Sequence, residues 1–157
     1  MITKILLAAI LIFQAAPASA QLSSSTFGGI PLWADSALRA AGLNQRFMLT
    51  STLNPVYGFG DFDRDGLVDI AVEVKDASGL RCGIAITHRI DRSVHIVGAG
   101  EPVGNGKNEL ACGRWSVEAG RHRHSGVSAD LLYVVDPGSQ SGWVVWDGRS
   151  YVWVGAD

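Results

Sequence analysis

The chain has 157 residues, of which 13 are Lys or Arg and 15 are Asp or Glu, so its formal net charge at pH 7 is −2. Nucleic-acid binders usually carry a strongly basic face, and this balance predicts no nucleic-acid partner. Four of the acidic residues fall within one short stretch, and the rest of the chain is nearly neutral. No polybasic or amphipathic segment predicts binding to a membrane surface.

Residues 1–20 have the pattern of a secretory signal peptide. Lys4 gives a positive start, residues 5–13 are apolar, and Ala18-Ser19-Ala20 is a small-residue cleavage site. The apolar run is too short to span a bilayer. We therefore expect an exported protein, periplasmic or secreted, with no membrane span.

The rest of the chain is predicted to form one domain. Residues 21–30 are rich in Ser and Gly and predict a flexible lead-in, and residues 31–157 suit a single core. A short helix is expected over residues 31–41, because Pro31 favours a first turn and Gly42 a C-terminal stop.

After this helix the pattern becomes β. Apolar side chains at 68, 70, 72 and 74 alternate with other residues, which is the period of a strand and places Asp69 on the opposite face. The strands are predicted over residues 47–53, 68–74, 82–87, 94–97, 115–117, 130–135, 143–146 and 149–154. The expected fold is mainly β, an antiparallel sheet or sandwich with one short N-terminal helix and an Asp-rich calcium loop.

The chain contains two cysteines, Cys82 and Cys112. In an oxidising compartment the simplest interpretation is one disulfide. The alternative is two separate buried thiols.

The stretch Gly60–Val72 carries aspartates at alternate positions, Asp61, Asp63, Asp65 and Asp69, with Gly66 after the third. A tight turn can direct such side chains at one point, and their charges would repel without a cation. Oxygen ligands at this spacing are typical of a Ca²⁺ loop, with the Leu67 carbonyl as a further ligand. The alternative is a metal-free turn, since Asp and Gly favour turns.

An EF-hand would place a bidentate Glu where Val72 stands, so this loop is not an EF-hand. The stretch from Gly60 to Val72 instead resembles the calcium loop of FG-GAP and VCBS-type repeats, which occur in integrin α-chain propellers and many exported bacterial proteins. The resemblance implies Asp61, Asp63, Asp65 and Asp69 as side-chain ligands and Leu67 as a carbonyl ligand. The chain carries a single copy, so we do not expect a propeller.

The wider layout also resembles small periplasmic proteins that carry one such loop. The similar pieces are Gly98-Ala99-Gly100 and the C-terminal Trp146-Asp147-Gly148-x-x-Tyr151-x-Trp153. This resemblance implies a setting in the cell envelope and no particular activity.

The C-terminal pair of strands predicts a hairpin with a two-residue turn at Asp147-Gly148. One side of it would carry Trp146, Arg149, Tyr151 and Trp153. Aromatic residues with an arginine suit a recognition surface for a protein or a sugar. The alternative is burial against a second sheet or the helix.

The remaining polar features predict no catalytic site. Residues 121–124, Arg-His-Arg-His, are interpreted as a solvated basic loop rather than a transition-metal site, and His88 and His95 as ordinary hairpin residues. No phosphate loop, nucleophile elbow or metalloprotease motif is complete.

We expect a non-enzymatic, calcium-binding module that binds a protein or glycan of the cell envelope. The alternative is a small calcium-dependent hydrolase.

Overall fold

The computed structural model describes residues 29–50, 57–103, 107–119, 129–135, 138 and 140–156. In chain order its elements are α1 (Leu32–Ala40), α2 (Leu43–Arg46), β1 (Phe47–Leu49), β2 (Tyr57–Gly60), β3 (Asp69–Asp76), β4 (Cys82–Thr87), β5 (Val94–Gly98), β6 (Trp115–Glu118), β7 (Leu131–Val134), β8 (Gly142–Trp146) and β9 (Tyr151–Gly155). The predicted mainly β fold is confirmed, with the short helix α2 in addition to the expected one. Within these described ranges, no helix is long and apolar enough to cross a membrane.

Helix α1 covers one face of the first sheet. It begins after Pro31 and ends before Gly42, which adopts the left-handed conformation with φ of 69° that commonly terminates a helix. Its buried apolar residues are Ala34, Ala37 and Leu38, spaced by three and four as one helical face requires. Ala34 and Leu38 pack in one cluster with apolar residues of the sheet.

Strands β1 to β5 form an antiparallel sheet, in which β1 and β2 both pair with β3, and β4 and β5 follow. The central strand is buried on both faces. Ile70 and Val72 of β3 pack toward the helices, and Ala71 packs toward the second sheet. Because side chains alternate along a strand, Asp69 and Glu73 share the face of Ala71, and both are buried.

Strands β6 to β9 form a second antiparallel sheet in chain order. The molecule therefore has three layers: helices, first sheet and second sheet. The largest core lies between the two sheets and consists of Phe62, Ala71, Ile84, Ile86, Val97, Val103, Leu110, Trp115, Leu132, Val134, Val144, Tyr151 and Trp153.

The β8–β9 hairpin has a longer turn than the sequence predicts. Trp146 pairs with Tyr151 rather than with Arg149, so four residues connect the strands. The carboxylate of Asp147 closes this turn by accepting the backbone N–H groups of Arg149 and Ser150, each at 2.8 Å. The backbone N–H of Asp147 also donates to the Ser150 carbonyl at 3.0 Å, so the chain bends at Gly148-Arg149 rather than at Asp147-Gly148.

This register determines whether the residues of the predicted partner surface are exposed or buried. Tyr151 and Trp153 are only 6% and 5% exposed and belong to the core between the sheets, and Trp146 packs against that core. A recognition surface is therefore wrong for these residues, because the second sheet turns this face inward. The alternative interpretation, burial, is confirmed, and only Arg149 is exposed.

Cys82 and Cys112 form the predicted disulfide, with Cα atoms 5.3 Å apart and a sequence separation of 30. It joins the start of β4 to the segment that precedes β6. Glu73 supports the same segment: its carboxylate accepts the backbone N–H of Gly113 and, at 3.3 Å, the indole N–H of Trp115. The Thr50 hydroxyl donates to the other oxygen of the same carboxylate, so hydrogen bonds satisfy this buried group at the join between the sheets.

Candidate metal site

The acidic loop connects β2 to β3 and is curled by hydrogen bonds from its own backbone. The N–H of Asp65 donates to Asp63 Oδ1 at 3.1 Å, and the N–H of Leu67 donates to Asp65 Oδ1 at 2.7 Å. The N–H of Gly66 donates to Asp61 Oδ2 at 3.1 Å, and Gly66 has φ of 84°, which glycine adopts without strain. Each aspartate therefore shapes the loop with one oxygen and has a second oxygen for another partner.

The curled loop brings three carboxylates together. One oxygen from each of Asp61, Asp63 and Asp65 lies within 4.8 Å of the other two. Ca²⁺ binds oxygens at about 2.3–2.6 Å, so two of its ligand oxygens lie at most about 5 Å apart. The group is therefore compact enough to hold a cation.

Two oxygens of this group have no hydrogen-bond partner. Asp61 Oδ1 and Asp65 Oδ2 are buried and accept no hydrogen bond in the described part of the chain. Burying a carboxylate oxygen without a donor or a cation is costly. A cation between Asp61, Asp63 and Asp65 would offset that cost.

The fourth predicted ligand, Asp69, has a different position. Its side chain is fully buried; Oδ2 accepts the N–H of Phe62 at 3.0 Å and Oδ1 accepts the N–H of Arg89 at 2.8 Å. Burial, together with the charges of Asp63 and Asp65, raises the pKa of Asp69 to about 7. Asp69 thus ties the start of the loop to the β4–β5 connection.

The four carboxylates therefore do not form one group. Asp69 belongs to a second group with Asp63 and His88, in which the ligand atoms also lie within 4.8 Å of one another. Asp63 is common to both groups. The side chain of Leu67 is 43% exposed, and the role of its carbonyl as a ligand stays a prediction.

His88 is a residue that the sequence interpretation missed. It is 3% exposed, its Nδ1 lies 3.4 Å from Asp63 Oδ2, and its Nε2 lies 2.7 Å from the Tyr151 hydroxyl. His88 does belong to the β4–β5 hairpin, where its N–H donates to the Ser93 carbonyl at 3.0 Å, but the sequence did not predict its contacts with Asp63 and Tyr151. The β3–β4 register pairs Ile70 with Thr87, which sets the next residue of the chain, His88, opposite Asp69. A correct prediction of that register would have placed His88 beside Asp69.

Four rings fill the space between the acidic loop and the second sheet. The centroid distances are 4.6 Å between His88 and His95, 5.0 Å between His88 and Trp146, and 4.9 Å between Trp146 and Tyr151. The Ser93 hydroxyl lies 3.3 Å from His88 Nδ1 and 3.1 Å from His95 Nε2. The aromatic face of the hairpin thus packs on the two histidines.

Burial favours the uncharged forms of Tyr151 and His95. It raises the pKa of Tyr151, with a further contribution from the charges of Asp69, Asp63 and Asp61. It also lowers the pKa of His95, and the neighbouring His88 adds to that effect. A neutral Tyr151 keeps its hydroxyl proton, so its hydroxyl can donate to His88 Nε2, 2.7 Å away.

Several predictions concern residues outside the described part of the chain. The signal peptide over residues 1–20, most of the lead-in over 21–30 and the Arg-His-Arg-His stretch at 121–124 fall there, and they stay predictions.

No protein-family model, no curated protein and no solved structure matches the chain. The resemblance of the acidic loop to FG-GAP and VCBS-type repeats therefore also stays a prediction.

Proposed function

We propose that this chain is an exported, calcium-binding β domain in which the ion is structural, and that it acts as a binding module of the cell envelope. The observation that carries the calcium part is the pair of buried, unpartnered oxygens, Asp61 Oδ1 and Asp65 Oδ2. The compact group of Asp61, Asp63 and Asp65 offers only oxygen atoms, which suits a hard cation rather than a transition metal.

The surroundings of the loop support a structural role. Asp61 exchanges two hydrogen bonds with Asp130, which directly precedes β7: its N–H donates to Asp130 Oδ2 at 2.9 Å, and its carbonyl accepts the N–H of Asp130 at 3.1 Å. Arg64 donates to the Trp146 carbonyl at 2.7 Å. A cation that orders the loop would therefore order contacts between the two sheets as well.

The absence of catalysis is part of the proposal. The residues nearest the loop that could carry acid–base chemistry, His88 and Tyr151, are buried and hydrogen-bonded to each other. A general base must reach a substrate proton, and a buried, engaged pair does not offer that access. The disulfide between Cys82 and Cys112 supports export, since such bonds persist in oxidising compartments.

Thermal unfolding in chelator and in calcium tests the ion. Free Ca²⁺ at about 100 times its Kd would raise the free energy of unfolding by about 2.7 kcal/mol. We expect EGTA to lower Tm by several degrees and added Ca²⁺ to restore it. Mg²⁺ at equal concentration should give a smaller increase, because it dehydrates reluctantly and demands octahedral geometry.

A matched pair of variants assigns the effect to the loop. Asp65→Asn keeps an oxygen for the Leu67 N–H and removes the charge, so the calcium-dependent increase of Tm should be lost. Asp91→Asn is the control, because Asp91 makes the same kind of local bond, to the N–H of Ser93 at 2.8 Å, and belongs to neither acidic group. Full calcium stabilisation of the Asp65 variant, or none in the wild type, would overturn the calcium proposal.

A further inference from the structure

A groove of about 620 Å³ runs along the side of the molecule where the first sheet ends in β2 and the second in β6. It begins beside the acidic loop. Its lining consists of Tyr57, Gly58, Phe59, Gly60, Val68, Trp115, Ser116, Val117, Ala119 and Asp130. Both long walls of this β2–β6 groove are thus edge strands.

The wall formed by β2 has an open backbone edge. Gly58 and Gly60 pair with β3, and the next position, Asp61, directs its backbone away from β3 and bonds to Asp130. Because backbone groups alternate in direction along an antiparallel strand, Tyr57 and Phe59 also direct their N–H and C=O outward. Among the described residues, no hydrogen bond reaches these outward groups.

The wall formed by β6 has the same property. The carbonyl of Arg114 accepts the N–H of Val135 at 2.7 Å, so the alternate position Ser116 also pairs with β7. The backbones of Trp115 and Val117 therefore point away from β7, and they too have no hydrogen-bond partner in the part of the chain that the structure describes.

The side chains of the groove are apolar, with charge at one end. Phe59 is 62% exposed and Val68 is 55% exposed, so both present apolar surface to the groove. Among the lining residues that the structure describes, Asp130 alone is charged, and it bonds to Asp61 at the start of the acidic loop. The groove is therefore complementary to an apolar segment with a basic residue at one end.

We propose that the β2–β6 groove binds an extended peptide of a partner protein, which adds as a strand beside β2 and places a Lys or Arg against Asp130. Unpaired strand edges are satisfied by another backbone, which is how β-augmentation binds peptides. The inference names the partner class for the proposed binding module and does not require the calcium site.

The shape of the groove favours a single extended segment over a second folded copy. A Cβ added at Gly58 would lie 2.7 Å from Val117 Cγ2 and 2.9 Å from Trp115 Cζ3, so β2 packs directly against β6. Strand β2 is only four residues long, and β6 borders it at Gly58. A lone peptide strand fits such a recess more readily than the edge of another sandwich.

The test uses a fluorescein-labelled, terminally blocked hexapeptide, Lys-Val-Thr-Val-Thr-Val, and fluorescence polarisation. Two isomers of this peptide carry N-methyl groups on one or the other alternate set of backbone amides. We expect saturable binding of the parent peptide and loss of binding for one N-methylated isomer only, because one set of amides faces β2. Replacing Lys by Glu should weaken binding, because Asp130 would then face a like charge.

Two substitutions at one position separate the backbone from the side chain. The N–H of Phe59 points outward, so Phe59→Pro removes it without breaking a bond to β3, and proline is tolerated at such edges. We expect Phe59→Ala to bind a few-fold more weakly than the wild type, and Phe59→Pro to bind about tenfold more weakly than Phe59→Ala. Leu80→Ala, at a side chain 82% exposed in the β3–β4 turn, should bind like the wild type.

Three results would overturn the proposal. The first is the absence of saturable binding of the parent peptide. If calcium still raises the Tm of the same protein sample, the groove proposal fails and the calcium proposal stands. The second is equal binding of both N-methylated isomers, which would show an apolar pocket rather than strand addition, and this arm holds even if Phe59→Pro does not fold. The third is a concentration-dependent dimer that Phe59→Pro abolishes, which would make a second copy the occupant.

Discussion

Arg64 Nη2 donates a hydrogen bond to the backbone carbonyl of Trp146 at 2.7 Å, and so ties the acidic loop of the first sheet to the hairpin of the second. Arg64 has φ of 71°, in the left-handed region that a residue with a long side chain seldom adopts. The loop therefore holds this residue in an unfavourable conformation, and the bond across the sheets contributes to keeping it there.

Replacing Arg64 by Met should lower the free energy of unfolding by about 0.5–1.5 kcal/mol, because it removes this bond and leaves the positive φ equally unfavourable. The measurement is denaturant unfolding in excess calcium. Arg149→Met is the control, since Arg149 is exposed in the same hairpin and its side chain makes no hydrogen bond among the described residues. An equal loss of stability in both variants would show that the contact with Trp146 contributes nothing.

Asp69 and Asp65 should differ in what they stabilise. Asp69 accepts two backbone N–H groups through its two carboxyl oxygens, and alanine would leave both donors without an acceptor. Asp69→Ala should therefore lower the free energy of unfolding by about 1–3 kcal/mol even in EGTA, whereas Asp65→Asn should affect only the calcium-dependent part.

The comparison belongs at about pH 6, below the pKa of about 7 that burial gives Asp69, because ionisation above that pH lowers the stability of the wild type and would mask the lost hydrogen bonds. Unfolding by urea in EGTA gives the readout. If the Asp69 variant matched the wild type under these conditions, the role of Asp69 in closing the loop would be wrong.

The hydrogen bonds of Asp76 predict a pH dependence of stability that does not involve the acidic loop. Hydrogen bonds from the Ser78 hydroxyl and then from the Arg81 guanidinium lower the pKa of Asp76 below its ordinary value of 3.8. A depressed folded-state pKa gives stability that is present above the unfolded value and is lost as pH falls below about 4. Protonation would release the bonds that close the β3–β4 turn.

Asp76→Asn should therefore be less stable than the wild type at neutral pH, and the difference should shrink as the pH falls below about 4. Tm measured in EGTA between neutral and acid pH gives the readout. Ser78→Ala, which removes only the first of the donors, should behave in an intermediate way. A constant difference between Asp76→Asn and the wild type across this range would contradict the assignment.

Local patterns predicted the features that local chemistry determines. The alternation around Ile70 gave a strand, Gly42 ended a helix, and the spaced aspartates gave a turn whose carboxylates approach one another. In each case, residues within a few positions supply both the signal and the contacts. The two-residue turn at Asp147-Gly148 failed for a local reason too, because the Asp147 side chain closes a longer turn.

The features that the sequence did not predict depend on contacts between distant segments. Strand β2 contains two glycines and resembles a turn, yet it pairs along β3. The burial of Tyr151 depends on the first sheet facing it, and the position of His88 depends on the β3–β4 register. The hydrogen bond between Asp69 and the N–H of Arg89 could not be predicted either, because the two residues lie 20 positions apart in the chain.

Of the changes predicted here, removal of the disulfide should lower the free energy of unfolding most. Cys82 and Cys112 are 30 residues apart, and cross-linking a loop of this length should raise the free energy of unfolding by about 3–4 kcal/mol, chiefly by restricting the unfolded chain. Cys82 is 2% exposed, so Cys82→Ala/Cys112→Ala also leaves a small cavity that adds to the loss.

Urea unfolding of the wild type with and without reductant, beside the double alanine variant, separates these two contributions. Reduction of the wild type removes the cross-link but keeps both sulfur atoms in place, so it should give the smaller loss. The bond joins the start of β4 to the segment before β6, outside the acidic loop, so the increase in Tm on adding calcium should persist in all three samples. Loss of that increase on reduction would mean that the calcium response depends on how the two sheets are joined rather than on the loop alone.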